Sequence, residues 1–142
     1  MTALDRAKRG FTRDEFMEYV ALFNANDPGF TRYYHDDVVL ELGTQQIRTP
    51  AGIRDFYREV KAHIHERVEV THFVSDPTGI AAELPSEFKV YRDWENGFFR
   101  RPLKKGEVLR IVSFALYWVD GGKFRHIKSA RQKLVNDWQM EA

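Results

Sequence analysis

Apolar side chains near the start of the chain recur at helical spacing. Thr12 and Glu15 form a capping box, in which each side chain can accept a hydrogen bond from a backbone N–H that the helix leaves free. The apolar positions that follow lie three or four residues apart: Phe16, Tyr19, Val20 and Phe23. The pattern predicts a helix that ends before the polar interruption at residues 26–29.

Two more helices are predicted further along. Asp27 can cap a short helix with Pro28 at its first position, where a missing N–H costs little. A strand at residues 38–42 follows, and then Thr49 and Pro50 open a third helix. Its apolar stripe comprises Ile53, Phe56, Tyr57, Val60 and Ile64.

After Arg67 the helical period gives way to alternation, which is typical of strands. Further strands are predicted at residues 80–94, 108–118 and 124–134. Pro85 should bend the first of these, because proline cannot donate to a ladder. Helices followed by a meander of strands indicate an α+β domain with helices on one face of a mostly antiparallel sheet. So few helices can cover that face only if the sheet curves strongly.

Composition limits the classes of protein that fit. The 142 residues suit one domain, residues 1–142 with a core at about 11–135. The chain has no cysteine, which excludes disulfides and thiolate chemistry. Its net charge of +1 gives no field that would attract nucleic acid, and no apolar run approaches the roughly 20 residues of a membrane span. We expect a cytoplasmic protein with neither nucleic-acid nor membrane partners.

Several segments resemble one superfamily. Residues 19–27 (YVALFNAND), 34–42 (YHDDVVLEL) and 49–57 (TPAGIRDFY) look like the SnoaL-like polyketide cyclases, which are relatives of ketosteroid isomerases and scytalone dehydratases. Residues 71–75 and 118–124 fit as well. The resemblance implies a cone-shaped nuclear-transport-factor-two-like fold, with three N-terminal helices packed on a strongly curved sheet that encloses a pocket. It also implies that no cofactor or metal is needed.

The resemblance carries over individual residues, with gaps. Tyr19 matches the helical tyrosine that donates to the oxyanion in ketosteroid isomerases, but their base aspartate falls on Leu42 and their second oxyanion acid on Phe114. His72 matches the strand histidine of scytalone dehydratases, whose partner aspartate falls on Asn24. The chain therefore has one element of each catalytic set and completes neither.

His72 and Arg110 are the candidates for chemistry beside Tyr19. His72 alternates with valines, and an imidazole with a pKa of about 6.5 suits proton transfer at neutral pH; alternatively it is a core histidine bonded to backbone. Arg110 is predicted to face the pocket with Phe114 and to stabilise an oxyanion. Alternatively Arg110 or Arg131 pairs with Glu41 or Glu83, in an ion pair that is buried or lies at a dimer interface. The predicted substrate contacts are Arg131, Glu41, Asn24, Phe114 and Tyr57.

These residues lead to two hypotheses. The first is a cofactor-free acid–base enzyme, a lyase or dehydratase, cyclase or isomerase, acting on a small hydrophobic molecule of aromatic or polyketide-like type. The alternative is a non-catalytic binding or accessory domain, which the missing catalytic partners favour. A homodimer through the outer sheet face is also expected, because that face is predicted to carry Phe73, Ile111, Ala115 and Tyr117.

Overall fold

The computed structural model describes residues 2–141. Its helices are α1 (Ala3–Arg9), α2 (Arg13–Asn24), a 3₁₀ helix (Pro28–Tyr33) and α3 (Pro50–Lys61). The three predicted helices are present, and Thr12 and Glu15 form the expected capping box at α2. The helix α1 was not predicted, although Thr2 and Asp5 form a capping box there too. None of the helices within the described residues is long and apolar enough to cross a membrane.

The strands are β1 (Tyr34–Leu42), β2 (Gln45–Arg48), β3 (Ile64–Val68), β4 (His72–Asp76), β5 (Gly79–Val90), β6 (Glu107–Asp120) and β7 (Lys123–Met140). They form a seven-stranded sheet in the order β2-β1-β7-β6-β5-β3, and β4 also pairs with β5. β1 and β7 are parallel and the other pairs are antiparallel. The helices cover the concave face, so the predicted α+β class and curved sheet are confirmed.

The strand predicted around His72 is two strands with an irregular link. The link at residues 69–71 keeps its backbone bonded to β5, since the Thr71 N–H donates to the Glu83 carbonyl at 3.1 Å. Val70 points into the core, but after the link Phe73 does so and His72 is exposed. The link shifts the alternation by one residue, and the predicted inward orientation of His72 is therefore wrong.

The faces of β6 are also the reverse of the prediction. Ser113, Ala115 and Tyr117 are buried on the concave side. Phe114 is 50% exposed on the outer side, which it shares with Arg110. Both sides of this strand are rich in apolar residues, so alternation alone did not distinguish them.

Two aromatic-rich clusters hold the helices on the sheet. The larger cluster centres on Phe16, which is fully buried, and on Phe124, whose ring stacks on Phe11 at 4.7 Å. The smaller cluster surrounds Leu109 and includes Trp94, from the segment that connects β5 to β6. The same segment brings Phe98 and Phe99 over the end of the sheet.

The outer face of β6 exposes a line of large apolar side chains. Phe114, Leu116 and Trp118 are 50%, 47% and 43% exposed. The apolar residues predicted for this face, such as Ala115 and Tyr117, are in fact buried on the other side. A contiguous apolar patch on a sheet is typical of an interface between proteins.

We propose that this face joins two copies of the chain, and we expect a dimer at micromolar concentration in sedimentation velocity. Phe114→Glu should give a monomer, because it places a charge in the middle of the apolar patch. Met17→Glu, the same kind of change on the opposite, helical side, should leave the dimer intact. A monomeric wild-type protein would contradict the proposal.

Candidate functional site

A cavity of about 440 Å³ lies between the two clusters, under α2 and α3. Ligand pockets commonly have volumes of about 300–1,000 Å³, so the space suits a small ring system. Its walls are largely apolar, with Val20 and Phe23 from α2 and Phe56 and Val60 from α3. The polar side chains that interrupt this lining are Tyr19, Tyr34, Tyr57, Glu66, Ser86, Ser113, Tyr117, Ser129 and Arg131.

Asn24 fixes the end of α2 beside β3. Its side-chain amide donates to the Val68 carbonyl at 2.8 Å, and the Val68 N–H donates to the Asn24 side-chain oxygen at 2.9 Å. This reciprocal pair is equivalent to a short stretch of sheet ladder. Asn24 was predicted to contact substrate, but both sides of its amide are used in holding the helix to the strand. It positions the wall of the cavity and does not line it.

Glu66 places a carboxyl group in the cavity. It lies on the inward side of β3 with Ile64 and Val68, and among residues 2–141 its side chain has no hydrogen-bond or ion-pair partner. Burial raises its pKa from 4.5 to about 7, although the charge of Lys61 opposes the increase. A carboxyl group with this pKa exchanges a proton readily near neutral pH.

Lys61 is the basic residue whose charge acts on the pKa of Glu66. Its ammonium group donates to the Phe23 carbonyl at the end of α2 and lies 3.7 Å from the centroid of the Phe23 ring. Burial lowers the pKa of Lys61 to about 8. The two charged groups influence each other without forming a direct ion pair, so Glu66 keeps its oxygens available.

Four tyrosines surround the cavity. The hydroxyl groups of Tyr19 and Tyr34 share a hydrogen bond of 2.8 Å. Within the described part of the chain, the hydroxyls of Tyr57 and Tyr117 have no partner. Burial raises the pKa of all four well above the ordinary value for tyrosine, so they are neutral donors at physiological pH. Such donors can bind a carbonyl oxygen or a developing oxyanion.

The structure brings together only some of the residues predicted for the site. Tyr19, Tyr57 and Arg131 line the cavity, as does Leu42. His72 does not, because its side chain is exposed on β4. Phe114 does not, because it lies on the outer face of β6.

Two charged residues predicted for the site are engaged elsewhere. Arg110 binds Glu87 at 2.9 Å and Glu141 at 2.8 Å on the outer side, so it pairs with carboxylates and does not face the pocket. Glu41 lies 3.1 Å from His126 on the neighbouring strand and is likewise outside the cavity lining. Arg110 therefore does form ion pairs, but the predicted partners Glu41 and Glu83 are wrong.

The sequence pattern does not reveal Glu66, because the apolar stripe of the predicted third helix runs to Ile64 and so places Glu66 at the end of that helix and not on a strand. The structure ends α3 at Lys61 and starts β3 at Ile64. The pattern Ile64, Glu66, Val68 and Val70 already alternates, so extending the strand upstream by four residues would have placed this carboxyl group among the inward positions.

Comparison with known proteins identifies the fold. A family model described as a SnoaL-like domain matches residues 16–127. A protein from Pseudomonas putida, provisionally named a polyketide cyclase, is 21% identical with a TM-score of 0.70, over 92% of this chain and 91% of that one. An LEH-like epoxide hydrolase from M. tuberculosis is 14% identical with a TM-score of 0.66, over 92% and 82%. A protein from Kribbella flavida, provisionally named a ketosteroid isomerase, is 16% identical with a TM-score of 0.61, over 100% and 84%. No curated protein matches the chain.

Glu66 should make stability depend on pH. Folding raises its pKa from 4.5 to about 7, so the folded state holds a proton that the unfolded chain releases, and stability falls across that range as the pH rises. Glu66→Gln should therefore raise the free energy of unfolding by roughly 2–3 kcal/mol at about pH 8 and by little near pH 4. Urea denaturation at both pH values measures this. The exposed Glu69→Gln should show no such gain, and an equal effect in both variants would contradict the burial of Glu66.

Proposed function

The chain belongs to the SnoaL-like domain family, as predicted, and we propose that its cavity performs cofactor-free acid–base chemistry on a small aromatic or polyketide-like molecule. Solved structures of this fold include proteins named for cyclase, isomerase and epoxide hydrolase activity. The fold alone supports many reactions, so the proposal rests on the residues of the cavity.

The observation that carries the proposal is the unpaired carboxyl group of Glu66 in an apolar cavity. With a pKa of about 7, it is basic enough to remove a proton from carbon and is partly ionised at neutral pH. A carboxylate that served only structure would be expected to have hydrogen-bond or ion-pair partners, because burying an unpaired charge is costly. Glu66 therefore replaces His72 as our candidate general base.

The tyrosines supply the complementary acid. When Glu66 takes a proton from a carbon next to a carbonyl, the C–H electron pair forms a carbon–carbon double bond and the carbonyl pair moves onto oxygen. A hydroxyl of the Tyr19–Tyr34 pair can donate to that oxygen, and its partner hydroxyl supports the donor. If the enolate is conjugated with a second double bond, return of the proton from Glu66 to the far carbon gives isomerisation. If the neighbouring carbon carries a hydroxyl group, Glu66 returns its proton to that oxygen, which leaves as water, and the product is dehydrated.

The aromatic side chains of the lining support the proposal of a ring-containing substrate. The rings of Phe23, Phe56 and Tyr57 lie close together on one wall. The Tyr57 ring centroid lies 4.8 Å from that of Phe23 and 5.0 Å from that of Phe56. Phe98 extends this wall at 5.2 Å from Phe56. Aromatic walls offer an aromatic ligand offset-stacked and edge-to-face contacts that a sugar or a peptide backbone would use poorly.

Proton exchange on a simple ketone tests the base without knowledge of the natural substrate. β-Tetralone is a small aromatic ketone whose hydrogens next to the carbonyl exchange in deuterium oxide, which NMR follows. The wild-type protein should accelerate this exchange. Glu66→Gln should lower the accelerated rate by about 10²–10⁴-fold, the usual effect of a general base. Tyr19→Phe should lower it by about 10–100-fold, less than the loss of a full oxyanion site because Tyr34 remains.

The outer residues serve as controls for this experiment. His72→Ala and Glu69→Gln should retain the wild-type exchange rate, because both side chains are exposed. A loss in His72→Ala with no loss in Glu66→Gln would reverse our assignment and restore the histidine. Tight ketone binding with no acceleration in the wild-type protein would instead support the non-catalytic alternative.

The exchange rate should also depend on pH. Glu66 acts as a base only when ionised, so the rate should rise about tenfold per unit below about pH 6 and level off above about pH 8. Lys61→Met should move the midpoint upward, because the lysine charge favours the Glu66 carboxylate. A profile that is flat between about pH 5 and 9 would exclude Glu66 as the base.

A further inference from the structure

The wall formed by β6 and β7 carries a group of polar side chains that the proposed chemistry does not use. Ser113, Ser129 and Arg131 line the cavity, and among residues 2–141 none of these side chains has a hydrogen-bond or ion-pair partner. Ser113 is buried, at 8% exposure, although its hydroxyl group has nothing to bond to within that part of the chain. Ser129 is half-buried and Arg131 is exposed, so the three side chains form a polar rim whose donors are available to a ligand.

The strand register gathers these side chains at one place. Ser113 on β6 pairs with Arg131 on β7, and the next inward positions on the two strands, Ala115 and Ser129, pair with each other. A guanidinium group has only donors, and each serine hydroxyl beside it can also donate, so the group suits an anion. The planar guanidinium can bind a carboxylate through two parallel hydrogen bonds.

The other arginines of these strands are engaged in a different way. Arg110 on β6 binds two carboxylates, and Arg125 on β7 binds Asp120 at 3.2 Å. Both lie outside the cavity lining. Arg131 therefore differs from its neighbours both in its position and in its lack of a protein carboxylate.

This polar group lies away from Glu66. Glu66 pairs with Phe88 of β5, whereas the row that contains Arg131 and Ser113 crosses β5 at Leu84. Four residues along a strand correspond to about 13 Å, and the rows also lie on different strands. An anion bound at Arg131 would therefore lie at a different part of the lining from the base.

The geometry points to a substrate that is an aromatic acid: a ring system whose carboxylate or phenolate is held by Arg131, Ser113 and Ser129, while the reacting carbon lies near Glu66. The position of the reacting carbon near Glu66 rests on the proposed function, whereas recognition of the anion by Arg131 does not. The apolar wall between the two ends selects for rings, and the arginine selects for the negative charge. Neutral ketones would then be poorer ligands than acids of the same size.

Binding of a matched pair of ligands tests this without any turnover. Naphthoate and naphthamide share a ring system and differ in charge. In isothermal titration calorimetry at about pH 6, the wild-type protein should bind naphthoate about 10–100-fold more tightly than naphthamide, the usual effect of a charge-assisted bond. Arg131→Gln should remove most of that difference by weakening naphthoate alone. Ser113→Ala should reduce it several-fold.

The controls separate this inference from the proposed chemistry. Arg125→Gln, the same change at a surface arginine of β7, should keep the wild-type preference. Glu66→Gln should bind naphthoate at least as tightly as the wild-type protein, because it removes a negative charge from the cavity. Equal affinities for the two ligands in the wild-type protein, no measurable naphthoate binding at millimolar concentration, or an unchanged preference in Arg131→Gln would each overturn the inference. None of these results depends on whether Glu66 is the base.

Discussion

The cavity exists because the helices fill the two ends of the concave sheet and leave the middle open. At one end Phe16 and Phe124 pack among other aromatic rings, and at the other Leu109 is fully enclosed with Ile64. Burying one side chain of this size contributes about 1.5–3 kcal/mol, so the two clusters can hold the curved sheet against the helices without contacts in between. Protein interiors are otherwise close-packed, so an open space of about 440 Å³ is not an ordinary packing defect and follows from the way the helices and the curved sheet meet.

Glu66 makes this open space costly for the folded protein. A carboxyl group there destabilises the folded protein above neutral pH, and a leucine or glutamine of similar size would avoid that loss. Proteins often retain such destabilising groups at functional sites, where activity opposes stability. The reciprocal hydrogen bonds between Asn24 and Val68 hold the adjacent part of β3 against α2, so the carboxyl group is carried on a rigid element.

The sequence was sufficient for α2, α3 and most of the strands, but not for α1, for the start of β3 or for the faces of the strands. Periodicity predicted α2 and α3, helped by the capping box of α2 and by Thr49 and Pro50 at the start of α3, because the apolar stripe on each helix differs clearly from its polar side. On β6 both sides carry large apolar residues, one packed in the core and the other exposed at Phe114 and Trp118, so no contrast was available. The inward position of His72 failed for another reason: the irregular residues 69–71 shift the alternation, and such a break depends on how the chain pairs with β5, which alternation within one segment does not reveal. A candidate site inferred from strand alternation therefore changes completely with a one-residue error, whereas the fold class does not.

The charged groups of the cavity lie at different ends, so the two ends of a bound ligand meet different charges. Glu66 and Lys61 influence each other at the end near α2 and α3, the tyrosine hydroxyls are neutral, and Arg131 carries a positive charge from the opposite wall. In the proposed mode of binding, a ligand that carries a negative group turns that group toward Arg131 and away from the Glu66 carboxylate. In the proposed reaction the same ligand presents its uncharged end to Glu66, where deprotonation of carbon creates a second negative charge. That charge develops beside the Tyr19–Tyr34 pair, whose hydroxyls remain protonated because burial raises their pKa. Orientation by one charge and stabilisation of another thus use different walls, which is possible because the curved sheet places β3 and β7 on separate sides of one apolar space.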